Sequence, residues 1–351
     1  MQRNRLEGPL SIDGAIFSSL RKLNVNNNRL VGTLAPHLVR TLDTLHASMN
    51  SLSGTLPAEL SHSLNHFDAG YNRMSGTIAF SSPLPPFLVS FLAAHNALSG
   101  TLPLDLYHLP TFGILSLHSN RLSGTISPMI GQLRPLMYLD LDRNQLSGTL
   151  PRSIATLQFL QKLFVSHNER LSGTIPAGVL VHNRCSGTLP ALYDISGARS
   201  MVGLARGLRL DHNRMSGTIP LGLASCINLQ HARLQNAAFS GTIPDLSSLS
   251  RLQSFLAQEN QLSGTIPTTS YKPWHGDEFM LPDDKGLKVH RNKLSGTLSA
   301  AVVGNPAFWV VDVHRNRLSG TLPTLSNNLT ADPAHLLKLN VRCCPSPCSC
   351  P

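Results

Sequence analysis

Residues 136–151 read LMYLDLDRNQLSGTLP, and this stretch decides the fold. Leu139 and Leu141 alternate with polar residues, which is the period-two pattern of a short strand with one buried face. The asparagine at position 144 carries an amide that needs hydrogen-bond partners when it is buried. Gly148 permits a backbone bend, and Pro151 sets an extended path that is not helical. The stretch therefore predicts one coil, made of a strand, a turn and an extended return.

The phrase Asn-x-Leu-x-Gly-x-Leu recurs fourteen times, from one end of the chain to the other. Its glycines are Gly8, Gly32, Gly54, Gly76, Gly100, Gly124, Gly148, Gly173, Gly187, Gly217, Gly241, Gly264, Gly296 and Gly320. Most successive glycines are 22–25 residues apart, which is the period of a leucine-rich repeat. A single coil cannot bury its leucines alone, so the sequence predicts a solenoid of about fourteen repeats over residues 1–342, stabilised by nearest-neighbour stacking.

Three irregularities interrupt the period. One glycine-to-glycine step is only 14 residues long and the next is 30, which predicts a distorted patch across residues 179–204. A later step of 32 residues predicts a loop over residues 270–286. Around Asn236 the register slips by one residue, which places Ala237 where the repeat asparagine belongs.

The repeat asparagines are expected to form a structural ladder. Each should turn inward, where its amide can bond main-chain groups of neighbouring coils. The ladder residues are Asn28, Asn50, Asn72, Asn96, Asn120, Asn144, Asn168, Asn213, Asn260, Asn292 and Asn316.

The form LxxLxLxxNxLSGTIP resembles the plant-type class of leucine-rich repeats, found in receptor-kinase ectodomains and polygalacturonase-inhibiting proteins. The phrase SGTLP is also similar to the repeats of kinetoplastid surface antigens, such as the promastigote surface antigen. The resemblance implies a β-rich solenoid of the α/β class, coiled as a curved right-handed superhelix. It further implies a concave parallel sheet, a second short sheet at the Thr-Leu/Ile segment, and an irregular or 3-10 convex side. An extracellular or surface-bound recognition role is the function it implies.

The candidate ligand-binding residues occupy variable positions around each asparagine, because a solenoid binds through its concave sheet and edges. They are Tyr71, Arg73, His95, His118, Arg121, Tyr138, Arg143, His167, His212, Arg214, His290, Arg291, His314 and Arg315. Trp274 joins them, because an aromatic side chain on an inserted loop suits ligand contact. A loop without a binding role is the alternative.

A nearly continuous basic stripe follows the ladder. It consists of Arg29, Arg73, Arg121, Arg184, Arg214, Lys293 and Arg317, in a chain of net charge +10 and pI about 9.7. The stripe could steer an acidic ligand, or it could be a solvated edge whose charge keeps the protein soluble. A protein or an acidic glycan is the expected partner, and nucleic acid is not expected.

Seven histidines fall on the concave positions. Equivalent positions on neighbouring strands lie about 5 Å apart, so His290 and His314 could share a metal ion, or repel each other when protonated. No carboxylate partner, which metal-ligating histidines usually have, is evident beside them. We therefore expect ordinary surface histidines, with no metal and no cofactor.

The cysteines and one sequon bear on the compartment. Cys343, Cys344, Cys348 and Cys350 form a Cys/Pro-rich cap or tail over residues 343–351. Disulfides there would require an oxidising compartment, and a zinc site is the rival interpretation. The sequon at Asn328 agrees with secretion. The opening MQRNRLEGPL lacks the apolar core of a secretory signal and begins inside a repeat, so a cytoplasmic location is the alternative to a longer, secreted product.

No catalytic motif accompanies the repeats. The chain has no GxSxG, HExxH, P-loop or dinucleotide-binding glycine pattern, and no apolar run of 18 residues. The sequence therefore predicts a non-catalytic recognition protein of the cell surface or secreted space, with membrane association only through segments outside this chain. An intracellular protein-interaction scaffold and an inhibitor of a secreted hydrolase are the alternatives.

Overall fold

The computed structural model describes residues 4–10, 19–81, 84–176, 207–267, 286–304, 310–323 and 338–341. These residues fall into two compact units, one up to Leu171 and the other from Ser172 on. The predicted distorted patch, the loop over residues 270–285 with Trp274, the sequon at Asn328 and the cysteines from Cys343 on lie outside the described residues.

Each unit contains a parallel sheet whose strands follow one another in chain order, and we call it the main sheet of that unit. In the first unit its strands are Lys22–Asn24, Thr44–His46, His66–Asp68, Ser90–Leu92, Ile114–Ser116, Tyr138–Asp140 and Lys162–Phe164. In the second unit they are Gly207–Arg209, His231–Arg233, Ser254–Leu256, Gly286–Lys288, Val310–Asp312 and Lys338–Asn340. The predicted leucine-rich-repeat solenoid with a parallel sheet is confirmed.

The middle residue of each main-sheet strand packs into an aliphatic and aromatic core. Leu45, Phe67 and Leu139 are fully buried, and the rings of Phe67 and Phe91 stack with centroids 4.9 Å apart. Equivalent residues lie opposite one another in the register, such as Leu45 against Phe67. The core therefore runs from coil to coil, as stacking of repeats requires.

The asparagine amides join consecutive coils. Asn72 donates through Nδ2 to the carbonyl of Ala47 in the preceding coil at 3.0 Å, and to the carbonyl of Ala69 in its own coil at 3.1 Å. Its Oδ1 accepts the backbone N–H of Leu52 at 2.9 Å. The same three-way pattern recurs at Asn50, Asn96, Asn120, Asn144, Asn168, Asn260, Asn292 and Asn316.

Short parallel strands form at the glycine motif, slightly earlier in each coil than the Thr-Leu/Ile segment at which the resemblance implied a second sheet. They are Glu7–Pro9, Arg29–Val31, Ser75–Thr77, Ala97–Gly100, Arg121–Leu122, Ser147–Thr149, Arg170–Gly173, Arg214–Thr218, Ala238–Thr242, Gln261–Ser263, Ser295–Gly296 and Arg317–Leu318. At Gly148 φ is +77°, and an added Cβ would lie 2.9 Å from Cγ2 of Thr125 in the preceding coil. Glycine is required here because the bend is left-handed and the neighbouring coil is close.

The return segments are short helical turns or irregular. The 3-10 turns are Leu104–His108, Pro128–Gln132, Arg152–Thr156 and Leu221–Ser225, and the one-turn α-helices are Pro36–Val39 and Ala300–Val303. Three of these 3-10 turns bury one side chain each, for example Ile130 and Ile154, and the turn Leu104–His108 buries both Leu106 and Tyr107. No helix among the described residues combines the length and hydropathy needed to span a bilayer.

The residue before each ladder position adopts a left-handed backbone conformation. In twelve described coils its φ lies between 51° and 58°, although none of these residues is glycine. The position holds bulky residues such as Tyr71 and Met49, for which this conformation is unusual. The repeat pattern does not predict this turn. The register slip at Asn236 is confirmed, since Asn236 takes this conformation and leaves Ala237 at the ladder position.

Candidate functional site

The outer face of each main sheet is the face turned away from the core. Main-sheet strands alternate, so Tyr138 and Asp140 point outward while Leu139 points inward. Both outward residues are nevertheless buried, with Tyr138 only 8% and Asp140 only 4% exposed. Long neighbouring side chains cover them, because the Tyr138 ring meets the edge of Phe164 and lies under the Lys162 ammonium. Tyr138 therefore presents little surface of its own, and its predicted contact with a ligand stays a prediction.

A row of aromatic and acidic side chains crosses the first unit from coil to coil, and we call it the polar row. It consists of Tyr71, His95, His118 and Asp140. The rings of Tyr71 and His95 stack with centroids 4.1 Å apart, and His118 meets His95 edge-on at 4.7 Å. Nδ1 of His118 then lies 3.3 Å from Oδ2 of Asp140.

The Asp140 carboxylate anchors one end of the polar row. Its Oδ2 accepts the hydroxyl of Tyr138 at 2.8 Å, and its Oδ1 accepts the backbone N–H of Asp142 at 3.2 Å. In turn Oδ1 of Asp142 accepts the backbone N–H of Ser166 at 2.6 Å. These bonds fix the side chains in one arrangement, which lowers the entropy that a ligand would have to remove on binding.

The pKa shifts of His95 and Tyr71 in the polar row favour the uncharged form of both rings. Burial, with His118 and Arg143 nearby, lowers the pKa of His95. Burial, assisted by Asp140, raises the pKa of Tyr71. Both side chains are therefore uncharged near neutral pH and can serve as aromatic contacts. Further along the same face, burial raises the pKa of Asp68 to about 6.

An apolar cluster adjoins the polar row. Leu92, Ile114, Tyr138 and Phe164 pack together on the outer face, and each is at most 8% exposed. Leu92, Ile114 and Phe164 are not among the predicted contact residues, which are polar or aromatic residues around each asparagine. Their apolar character at positions that alternate with the core leucines was the available signal.

The other candidates of the first unit lie at the two positions beside the ladder. Arg143 and His167 hold the left-handed position, with Arg143 exposed and His167 half-buried. Arg73 and Arg121, one residue after the ladder asparagine, are exposed. The charge of Arg143, two coils further along, contributes to lowering the pKa of His95, so a basic group acts on the stacked rings.

The second unit brings two predicted histidines together with an aspartate. The rings of His290 and His314 stack with centroids 4.4 Å apart. Nδ1 of His314 lies 2.5 Å from Oδ1 of Asp312, and Nδ1 of His290 lies 3.2 Å from Oδ2 of the same residue. The predicted juxtaposition of the histidines is therefore confirmed, and the interpretation that no carboxylate accompanies them is wrong. The i, i+2 spacing of Asp312 and His314 on one strand face was the available signal for the first contact, whereas the contact with His290 depends on the neighbouring coil.

The remaining candidates of the second unit are held by neighbours. Nδ1 of His212 lies 2.8 Å from Oδ2 of Asp211, and its Nε2 lies 2.7 Å from the Asn236 amide. Arg291 forms an ion pair with Glu259. Arg214 and Arg315 are exposed. Of the predicted contact residues, Trp274 is the one outside the described part of the chain.

Comparisons with known sequences agree with the repeat architecture. A family model described as Leucine Rich Repeat matches residues 19–40 and 135–157. The receptor-like kinase TMK2 of Arabidopsis thaliana is 34% identical over 79 residues, which is 22% of this chain and 9% of that protein. The matched stretch is thus a small part of the kinase.

Solved structures match over nearly the whole chain. A TDR receptor superposes with a TM-score of 0.75 at 24% identity, covering 97% of this chain and 59% of that one. The leucine-rich-repeat ectodomain of the Arabidopsis receptor kinase HAESA, solved with an N-terminally extended IDA peptide hormone, gives a TM-score of 0.73 at 26% identity. That match covers 97% of this chain and 53% of the HAESA chain. The chain thus spans somewhat more than half of these receptor structures.

Proposed function

The chain is a leucine-rich-repeat solenoid similar to plant receptor-kinase ectodomains, and we propose that it binds a peptide or protein ligand without catalysing a reaction. The binding surface is the outer face of the main sheet in the first unit, around the polar row. The HAESA ectodomain was solved with a peptide hormone, which supports a peptide as the ligand class.

The observation that carries the proposal is the ring stack of Tyr71 and His95, with centroids 4.1 Å apart. Aromatic side chains that are already fixed supply contact area at low entropic cost, which is typical of interface hot spots. Tyr71 is half-buried and His95 is exposed, so the stack is accessible. Because the charge of the Arg143 guanidinium acts on the His95 imidazole, the favoured ligand carries an acidic side chain or carboxylate next to an apolar residue.

A displayed library of random peptides tests this proposal. We expect peptides enriched on the wild-type protein to lose most of their binding to the double variant His95→Ala/Arg143→Glu. The matched control is Leu104→Ala/Arg152→Glu, which makes the same types of change at exposed positions of the return segments. The control should bind like wild type. Equal binding to all three proteins would refute the proposed surface. Binding of heparin in place of peptides, lost in the same double variant, would identify an acidic glycan as the ligand instead.

We also propose that the protein resides at the cell surface or outside the cell. The sequence features that support this are the sequon at Asn328 and the cysteines Cys343, Cys344, Cys348 and Cys350, all outside the described residues. Mass spectrometry of protein isolated from its own cells should find a glycan on Asn328 and disulfides among the four cysteines. An unmodified Asn328 together with four free thiols would favour the intracellular scaffold.

A further inference from the structure

We propose that His290, Asp312 and His314 form a binding site for a divalent transition-metal ion such as Zn²⁺. The site lies on the outer face of the main sheet in the second unit, and it is independent of the peptide surface proposed for the first unit. Imidazole and carboxylate groups are the ligands that Zn²⁺ and its neighbours in the first transition row accept.

The sheet register places the three residues together. His290 follows the strand Gly286–Lys288 by two residues, and His314 follows Val310–Asp312 by two residues. The backbone N–H of Val289 donates to the carbonyl of Asp312 at 2.9 Å, and that of Arg291 donates to the carbonyl of His314 at 3.0 Å. These bonds align the two coils, so the histidines are neighbours in one row of the face.

The donor atoms are close to the spacing that one ion requires. One donor atom from each residue lies within 4.8 Å of the other two. Two ligands on the same Zn²⁺ are separated by at most about 4 Å, because each metal–ligand bond is about 2.0–2.2 Å. The imidazole planes are only 14° apart, so one ring must turn about its Cβ–Cγ bond for both lone pairs to meet the ion. That torsion is broad, so the ring can turn at low energetic cost.

The surroundings hold the carboxylate in place and offset the nearest positive charge. Nδ2 of Asn340 donates to Oδ2 of Asp312 at 3.3 Å, which is the kind of outer contact that orients a metal ligand. Arg291 would repel a cation, but its charge is offset by its ion pair with Glu259. The side chains of His290, Asp312 and His314 are between 13% and 18% exposed. The site is therefore sheltered, yet open enough for an ion to enter.

The two imidazoles and the carboxylate leave one coordination position of the ion open. Neutral imidazole is the form that ligates metals. With three protein ligands, a tetrahedral ion keeps one position for water or for a donor atom from a bound molecule.

The test uses the full chain after treatment with a chelator. Co²⁺ is titrated in while the visible d–d absorption is recorded, and Zn²⁺ is then added as a competitor. We expect a Co²⁺ spectrum that Zn²⁺ abolishes, and at least a tenfold loss of affinity in both Asp312→Asn and His314→Ala. The matched control is His118→Ala, which removes a histidine from a similar contact with Asp140 in the first unit. It should retain the Asp312-dependent spectrum.

Two results would overturn the proposal. One is the absence of any Co²⁺ absorption above that of buffer. The other is equal loss of the spectrum in the His118→Ala control. Histidine-labelled NMR spectra of the wild-type protein provide a readout that does not depend on how the variants fold. Zn²⁺ should shift the imidazole signals of His290 and His314, and unchanged signals would mean that the cluster is only a hydrogen-bonded histidine–carboxylate group.

Discussion

Replacing Asn144 by alanine is expected to lower the free energy of unfolding by about 3–5 kcal/mol. The side chain is 7% exposed. It donates to the carbonyls of Leu117, Leu141 and Asp142 at 3.0–3.2 Å, and it accepts the backbone N–H of Leu122 at 3.0 Å. Alanine leaves these groups without the amide, and each buried group left unsatisfied costs about 1–3 kcal/mol. Urea unfolding followed by circular dichroism measures the loss.

Two variants serve as controls for the ladder. Gln145 is the exposed residue next to Asn144, so Gln145→Ala should change stability by no more than about 0.5 kcal/mol. Ala237 occupies a ladder position that lacks the amide, between the coils of Asn213 and Asn260. Ala237→Asn should therefore gain about 1 kcal/mol. The ladder would have no role in joining the coils if Asn144→Ala cost no more than Gln145→Ala.

Replacing Gly148 by alanine is expected to cost about 2–4 kcal/mol, for two separable reasons. The backbone φ of +77° is unfavourable for any residue with a Cβ. The new Cβ would also lie 2.9 Å from Cγ2 of Thr125 in the preceding coil. Thermal and urea unfolding of Gly148→Ala measures the sum of the two effects.

A double variant separates the two effects at Gly148. Thr125→Ser removes the methyl group that the new Cβ would meet and keeps the hydroxyl. In the Thr125→Ser background, Gly148→Ala should therefore cost less than in the wild-type background, while the backbone strain remains. Strictly additive changes in the free energy of unfolding would show that the close approach of the coils contributes nothing.

The fold could be predicted because the repeat encodes it position by position. Leu139 and Leu141 point inward in one coil for the same reason that their counterparts do in the other coils that the structure describes, and Asn144 follows them at a fixed spacing. Such local patterns determine strand, ladder and bend without reference to distant residues. The one-residue register slip that leaves Ala237 at a ladder position could be predicted from the sequence for the same reason.

The candidate site could be predicted only in part, because its contacts join residues about one repeat apart. His290 and Asp312 are 22 residues apart in the sequence, and their pairing depends on side-chain orientation in two adjacent coils. The burial of Tyr138 depends in the same way on Phe164 and Lys162. The left-handed turn before each ladder asparagine could not be predicted, because the residue that adopts it is not glycine. The repeat spacing predicts which residues lie in one row on the outer face of a main sheet. Side-chain packing decides which residues of that row contact one another.

Photo-cross-linking of a library-selected peptide tests the central proposal most directly. The peptide carries a benzophenone amino acid, and the cross-linked residues of the protein are identified by mass spectrometry. Binding to the outer face of the first unit predicts adducts at or beside Tyr71, His95 and His118. Adducts confined to return segments such as Leu104–His108 and Arg152–Thr156 would contradict the proposal.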